Sequence, residues 1–193
     1  MPDPAPRLVL GLGNPGEQYA GTRHNLGFEV VDRLAERGQL RFRKSGRALL
    51  ARGEADGAPF VLAKPQTFMN NSGRAARDLL EELGAAAELL VLCDDFHLPL
   101  GRLRCRASGS DGGQKGLQSV IALLPEREVP RLRLGIDAPP EGVPAEDYVL
   151  RRFKRAEQAA ARAMVERAAD CVQDWLAHGD LQCLINRANA TVG

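Results

Sequence analysis

The chain lacks most of what announces a function from composition alone. Aromatic residues fill only 5% of its 193 positions, with a single Trp, and there are three His. Charge of one sign is missing too: 26 Lys and Arg stand against 25 Asp and Glu, a formal net charge of +1. Overall charge therefore selects no partner, and any grip on a nucleic acid must be local. The four cysteines, Cys93, Cys105, Cys171 and Cys183, lie far apart with no CxxC spacing. That pattern fits reduced thiols in a cytosolic protein and argues against a disulfide framework or a zinc centre. No apolar run approaches the length of a membrane-spanning helix or a signal-peptide core. The expectation is a soluble, cytoplasmic protein with no metal, no cofactor and no membrane contact, a monomer without an obligate protein partner.

What is present is ordinary folding material, 44% hydrophobic residues in a length that suits one compact domain over 1–193. Strand-like runs bounded by Gly or Pro occupy Leu8 to Leu12, Arg47 to Gly53, Phe60 to Ala63, Leu89 to Cys93, Arg102 to Ala107 and Arg131 to Ile136. Apolar stripes at helical spacing alternate with them: Gly27 to Leu34, Ala75 to Leu83, Leu117 to Leu124, and a long one from Ala161 to Leu176. The alternation predicts an α/β fold, a single domain with a mixed twisted sheet and helices on both faces. Trp175 has only apolar neighbours at helical spacing on its stripe, which makes it core packing rather than a base-stacking platform.

The segment from Gly11 to Asn25, GLGNPGEQYAGTRHN, follows the first strand and crowds Asn14, Tyr19 and His24 into one turn. It contains a literal GxGxxG at Gly11, Gly13 and Gly16, yet the dinucleotide reading fails on context. No helix signal opens at the third glycine, and the acidic residue at the right distance, Asp32, falls inside a helical stripe instead of at a strand end.

Ligands of α/β sheets collect at the carboxyl ends of strands. Polar residues follow several of the predicted strands there: Asn14, Tyr19 and His24 after the first, KPQTFMNNSG with Met69 and Asn70 after the third, Asp94 and Asp95 after the fourth, then Gln114 and Lys115 in a glycine-rich loop. An Asp that accepts from one imidazole nitrogen fixes the tautomer and leaves the other nitrogen basic, so His24 and Asp94 form a candidate dyad for taking a proton from water. Asn14 and Asn70 offer amide donors for a developing oxyanion and acceptors for water or an amide N–H. Plainer roles stand beside these. Asn70 or Asn71 can cap the helix near Gly73, Asn14 before Pro15 can be turn chemistry, and Asp94 or Asp95 can cap a turn. His97 and His178 have no such company. Arg102, Arg104 and Arg106 alternate along one predicted strand and Arg131 and Arg133 along another, either gripping phosphates or keeping a sheet edge solvated. Arg151, Arg152, Lys154 and Arg155 read as a solvated loop or helix entrance, and Ala107 to Gly116 and Asp137 to Glu146 as irregular segments.

Taken together and in this order, GLGNPGEQYAGTRHNLGF, KPQTFMNNSG, LVLCDDFHLPLGRLR, GGQKGLQSVI, RLRLGI and a WLAHGDLQCLINR tail resemble bacterial-type peptidyl-tRNA hydrolase over nearly the whole chain. The resemblance implies a single α/β domain that hydrolyses the ester between a nascent peptide and the terminal ribose of tRNA, recycling tRNA after aborted translation. It implies that His24 activates water, that Asp94 holds it basic, and that Asn14 tells peptidyl from free aminoacyl substrates. It further implies that Tyr19, Phe68, Met69 and Asn70 line the substrate cleft and that Arg104, Arg106 and Arg133 lie near the tRNA phosphates, with Arg106 and Arg133 as the clamp. Two departures stand out. Gln114-Lys115 replaces a typical His-Asn pair, and Lys, having no acceptor, is expected to contact the 3′ end of the tRNA. No lysine occurs in Asp137 to Glu146, where relatives often carry one, which shifts the tRNA grip toward the arginines. The rival readings are a non-catalytic RNA-binding relative, which shares the fold, and a nucleotide-dependent oxidoreductase.

Overall fold

The structure is a computed structural model and describes residues 5–190, so the outermost ends of the expected 1–193 domain lie outside the described residues. Seven strands form one sheet: β1 (Arg7–Gly11), β2 (Arg43–Ser45), β3 (Ala48–Ala55), β4 (Ala58–Pro65), β5 (Glu88–Asp95), β6 (Leu103–Arg106) and β7 (Arg131–Gly135). Six α-helices accompany them: α1 (Leu26–Arg37), α2 (Ser72–Leu83), α3 (Lys115–Leu123), α4 (Ala145–Val149), α5 (Gln158–His178) and α6 (Leu181–Asn189). The strand order is β2-β3-β4-β1-β5-β7-β6. β4, β1, β5 and β7 run parallel in the centre, and β2, β3 and β6 are added antiparallel at the edges. The mixed sheet with helices on both faces expected from the sequence is the observed architecture.

Alternation along the central strands divides the core. Val9, Leu62, Leu90 and Leu92 face α1, α5 and α6, whereas Leu8, Leu10, Val61, Val91 and Cys93 face α2 and α3. Burial on both faces is why β5 reads as an unbroken apolar run ending in two acids. Trp175 is 4% exposed inside the α5 core, as its stripe predicts.

The glycines of the first turn serve packing. A Cβ on Gly11 would stand 2.3 Å from the Gly27 carbonyl oxygen, and one on Gly27 would stand 2.4 Å from the Leu12 nitrogen, so α1 can lie directly on β1 only with glycine at both places. Helix α1 opens at Leu26, well past Gly16, and Asp32 lies within it. Only the three-residue 3₁₀ turn Glu17–Tyr19 follows Gly16, and among the described residues no α-helix opens at the GxGxxG turn.

The chain leaves β1 toward β4 on one side, and the strand entered after α2, β5, lies on the other side of β1. The crevice above the carboxyl ends of β1 and β5 is the topological switch point where α/β sheets bind ligands.

Candidate active site

Four segments meet over that switch point. A 3₁₀ turn, Arg23–Asn25, presents His24; the end of β5 presents Asp94; a second 3₁₀ turn, Met69–Asn71, follows β4; and the glycine-rich loop leads into α3. They enclose a cavity of about 420 Å³ whose walls include Asn14, His24, Phe68, Met69, Asn70, Asp94, Gln114, Lys115, Glu146 and Leu150. Phe68 and Leu150 are large apolar side chains left 60% and 43% exposed, and both lie on this cavity. That apolar rim suits a partner that brings its own apolar surface.

His24 Nδ1 lies 3.0 Å from each oxygen of Asp94, and both side chains are buried. An ionised carboxylate only accepts hydrogen bonds, so Nδ1 carries the proton and donates, and Nε2 keeps a lone pair. Asp94 Oδ1 also accepts from Gln114 Nε2 at 3.0 Å, while Gln114 Oε1 accepts from Leu117 N at 2.7 Å and caps α3.

Asn14 is fixed from three sides. Its Oδ1 accepts from Met69 N at 2.8 Å, its backbone N–H donates to Asn25 Oδ1 at 2.9 Å, and its carbonyl accepts from Asn25 Nδ2 at 3.0 Å. With Oδ1 committed to Met69, the Asn14 Nδ2 group is a donor without a protein partner among the described residues. Plain turn chemistry does not account for a side chain anchored 55 residues away. Asn71 occupies the position before α2 but makes no capping bond through its side chain, and Asn70 is exposed on the cavity wall. The capping alternative for these two asparagines is thereby set aside. Asp95 does take the turn-capping role, accepting from His97 N at 2.8 Å.

The structure departs from the sequence expectation at Tyr19, expected on the cleft, and at Arg131, expected on a solvated edge or a phosphate-gripping face. Tyr19 does not line the cavity: it ends the 3₁₀ turn Glu17–Tyr19, and its carbonyl accepts from the Thr22 hydroxyl at 2.8 Å. Arg131 and Arg133 do not form a pair of equally free side chains. β7 is interior to the sheet, so Arg131 is 1% exposed and its guanidinium donates to the carbonyls of Val129, Gly109 and Ser110. Burial, with Arg133 close by, lowers the Arg131 pKa from its ordinary value. Arg133 is half-buried and donates to Asp95 Oδ2 at 3.0 Å and to the Ser110 carbonyl at 2.6 Å.

Arg104, Arg106, Arg131 and Arg133 nevertheless line one smaller hollow of about 130 Å³, which shares Asp95 with the main cavity. The register places Arg104 opposite Arg133 and Arg106 opposite Arg131. Like charges directly across a ladder are unfavourable on their own, which makes the hollow a candidate place for an anion. Arg104 and Arg106 are exposed on the edge strand β6, so the solvated-edge reading and the phosphate reading describe the same side chains.

Several contacts carry no signal in the sequence. Asn25 orients Asn14, and Gln114 reaches Asp94. Arg23, next to His24, is 2% exposed: its guanidinium donates to the carbonyls of Arg151 and Arg152 and to Glu157, and lies 4.4 Å from the Tyr148 ring centroid and 4.8 Å from that of Phe153. The turn that carries His24 is thus tied to the α4 wall of the cavity. Lys115 Nζ meets Glu146 at 2.7 Å across the rim, both exposed, and the ammonium holds the Glu146 carboxyl below its ordinary value. Among the described residues no helix is long and apolar enough to cross a membrane.

The chain as a whole resembles proteins already known. Residues 8–192 match the family model described as peptidyl-tRNA hydrolase. A peptidyl-tRNA hydrolase from Chloroflexus aurantiacus is 49% identical over 185 residues, covering 94% of this chain and 98% of the relative. One from Bacillus cytotoxicus is 39% identical over 180 residues, covering 92% and 97%. A crystal structure of peptidyl-tRNA hydrolase from Acinetobacter baumannii superposes with a TM-score of 0.87 at 28% identity, covering 95% of this chain and 94% of that one.

Proposed function

The chain belongs to the peptidyl-tRNA hydrolase family, and on that footing we propose how its cleft and its arginine hollow divide the work. It hydrolyses the ester that joins a nascent, N-blocked peptide to the 3′-terminal ribose of tRNA, returning free tRNA to translation.

In our reading His24 Nε2 is the general base. It takes a proton from a water as that water attacks the ester carbonyl, and Asp94 stabilises the imidazolium that forms. The C–O bond to the ribose then breaks, and the ribose oxygen leaves with the proton from His24, which restores the base. Asn70 on the cavity wall donates to the developing oxyanion. Asn14 Nδ2 donates to the carbonyl of the peptide bond next to the ester. A free aminoacyl-tRNA has an ammonium there, which only donates, so it leaves the Asn14 donor unanswered and is discriminated against. Phe68 and Met69 give the substrate an apolar wall.

Arg104, Arg106 and Arg133 take tRNA phosphates at the second hollow, with Arg106 and Arg133 as the pair that grips. Lys115 exchanges Glu146 for the 3′ end of the tRNA at the rim. The enzyme works in the cytoplasm as a monomer. A non-catalytic RNA-binding relative would have no use for a buried His held by an Asp with one nitrogen left basic, and that dyad is the observation that carries the catalytic reading. The test is incubation with N-acetyl-aminoacyl-tRNA: the wild-type protein releases free tRNA and the H24A variant does not. Equal release by both would overturn the assignment of His24.

A further inference from the structure

The glycine-rich loop holds a buried amide that neither gives nor takes the proton moved by His24. Gln114 is buried, 7% exposed, with its amide shared among α3, Asp94 and Met69 Sδ, which its nitrogen meets at 3.4 Å. Its oxygen accepts from Leu117 N, which fixes which end of the amide is which, and its nitrogen therefore must donate to Asp94 Oδ1. Asp94 Oδ1 thus receives two donors, Gln114 Nε2 and His24 Nδ1, each at 3.0 Å. The cap anchors one end of the amide to α3, so the other end cannot turn away without undoing the first turn of the helix. Close packing reinforces this: a Cβ on Gly116 would stand 2.3 Å from Met69 Sδ, so α3 starts pressed against the opposite wall of the cavity.

We propose that Gln114 is a positioning residue for the hydrolysis, its amide linking the N-terminus of α3 to Asp94 and thereby holding the carboxylate square to His24. This rests on His24 being the base. By donating to Asp94 Oδ1, the amide settles where the carboxylate lies against His24 Nδ1 and so which way Nε2 faces the cavity. The charged and titratable groups around the dyad are otherwise engaged: Asp95 with Arg133, Lys115 with Glu146, Arg23 with Glu157, and the Cys93 thiol, pushed up by burial. Gln114 is the neutral donor among them.

Q114E separates the two duties of the side chain. A carboxylate oxygen still accepts from Leu117 N, so the cap survives, but the group facing Asp94 becomes a second acceptor and a second negative charge. The expected result is a fall in kcat of about tenfold near neutral pH with KM within about threefold. The acidic limb of the kcat profile should move up by about one pH unit, because added negative charge favours the protonated imidazole. Q114H, with a donor nitrogen and an acceptor nitrogen, should keep kcat within about threefold of wild type and leave the limb in place. Thermal unfolding of each variant establishes that it is folded. Should Q114E fail to fold, Q114M, similar in size but without donor or acceptor, is expected to show the same kcat loss. A folded Q114E or Q114M with wild-type kcat and an unmoved limb overturns the inference. Measuring H24A alongside keeps the two claims apart: an active H24A removes the His24 reading, whereas an inert H24A beside an indifferent Q114E removes only the role of Gln114.

Discussion

Asp95 and Arg133 meet at 3.0 Å, and through that pair the proposed catalytic cavity and the arginine hollow share a wall. Asp94 and Asp95 are consecutive on β5, one holding His24 and the other holding Arg133. Arg106, exposed on the edge strand, has no such tie among the described residues.

The two halves of the proposed phosphate clamp should therefore behave differently. R106A is expected to raise KM for peptidyl-tRNA at constant kcat and to lower the salt dependence of binding by about one unit of slope. R133A should do the same and also lower kcat, because Asp95 is left buried and unpaired beside Asp94. A minimal peptidyl-ribose ester without the tRNA body should be cleaved by R106A as well as by wild type. If R106A loses the small ester as severely as the full substrate, the clamp reading is wrong.

For the dyad, D94N should lower kcat by about tenfold or more, though less than H24A does. An amide in place of the carboxylate can donate to Nδ1, which favours the tautomer whose Nε2 carries the proton and cannot act as base. An unchanged kcat in D94N would mean that Asp94 is structural and that something else orients His24.

At the rim, Lys115 and Glu146 are both more than half exposed, and such pairs hold weakly, so a phosphate can displace Glu146 from Lys115. K115N is expected to keep kcat within about threefold and to weaken substrate binding mainly at low salt, whereas E146Q should tighten it there. A strong rise of kcat in K115N would instead identify Lys115 as a catalytic handicap. Binding by E146Q indistinguishable from wild type at low salt would remove Lys115 from the tRNA contact.

Stability carries its own pH signature. Burial, with Asp32 adding to it, pushes the Glu29 carboxyl on α1 from 4.5 up to about 7. Between those values the folded chain binds more protons than the unfolded one, so this residue makes stability fall as pH rises from about 4.5 through about 7. E29Q should therefore gain thermal stability over wild type with rising pH, by about 1–3 kcal/mol at pH 8 and close to nothing at pH 4. A difference in melting temperature that stays flat across that range would show that Glu29 is not held protonated.

Much of this molecule can be read from the chain because its central strands are buried on both faces. β5 is an apolar run that stops at Asp94 and Asp95, and that ending marks the site in the residue pattern alone. The edge strand β2 is three exposed residues, Arg-Lys-Ser, and sequence has no signal for it; its pairing with β3 alone defines it. Helix α6 does leave a signal, a left-handed Gly179 followed by Asp180 capping Cys183 N, but one short enough to pass for a tail. Within the site, residue types at strand ends locate His24, Asp94, Asn14 and Asn70. The bonds that Asn25 and Gln114 make to them are not legible, because a bond between an amide and a group 11 or 20 residues away depends on how two loops pack. Arg131 shows the converse: alternation correctly puts it on the same face as Arg133, but only the sheet order reveals that the loop at Gly109 and Ser110 covers it.

The most direct test of the central claim is single-turnover release of tRNA from N-acetyl-aminoacyl-tRNA by wild type and H24A, with tRNA affinity measured on the same preparations. The account predicts that H24A loses about 100-fold or more in rate while binding tRNA as wild type does. An H24A that keeps more than about a tenth of the wild-type rate would contradict it.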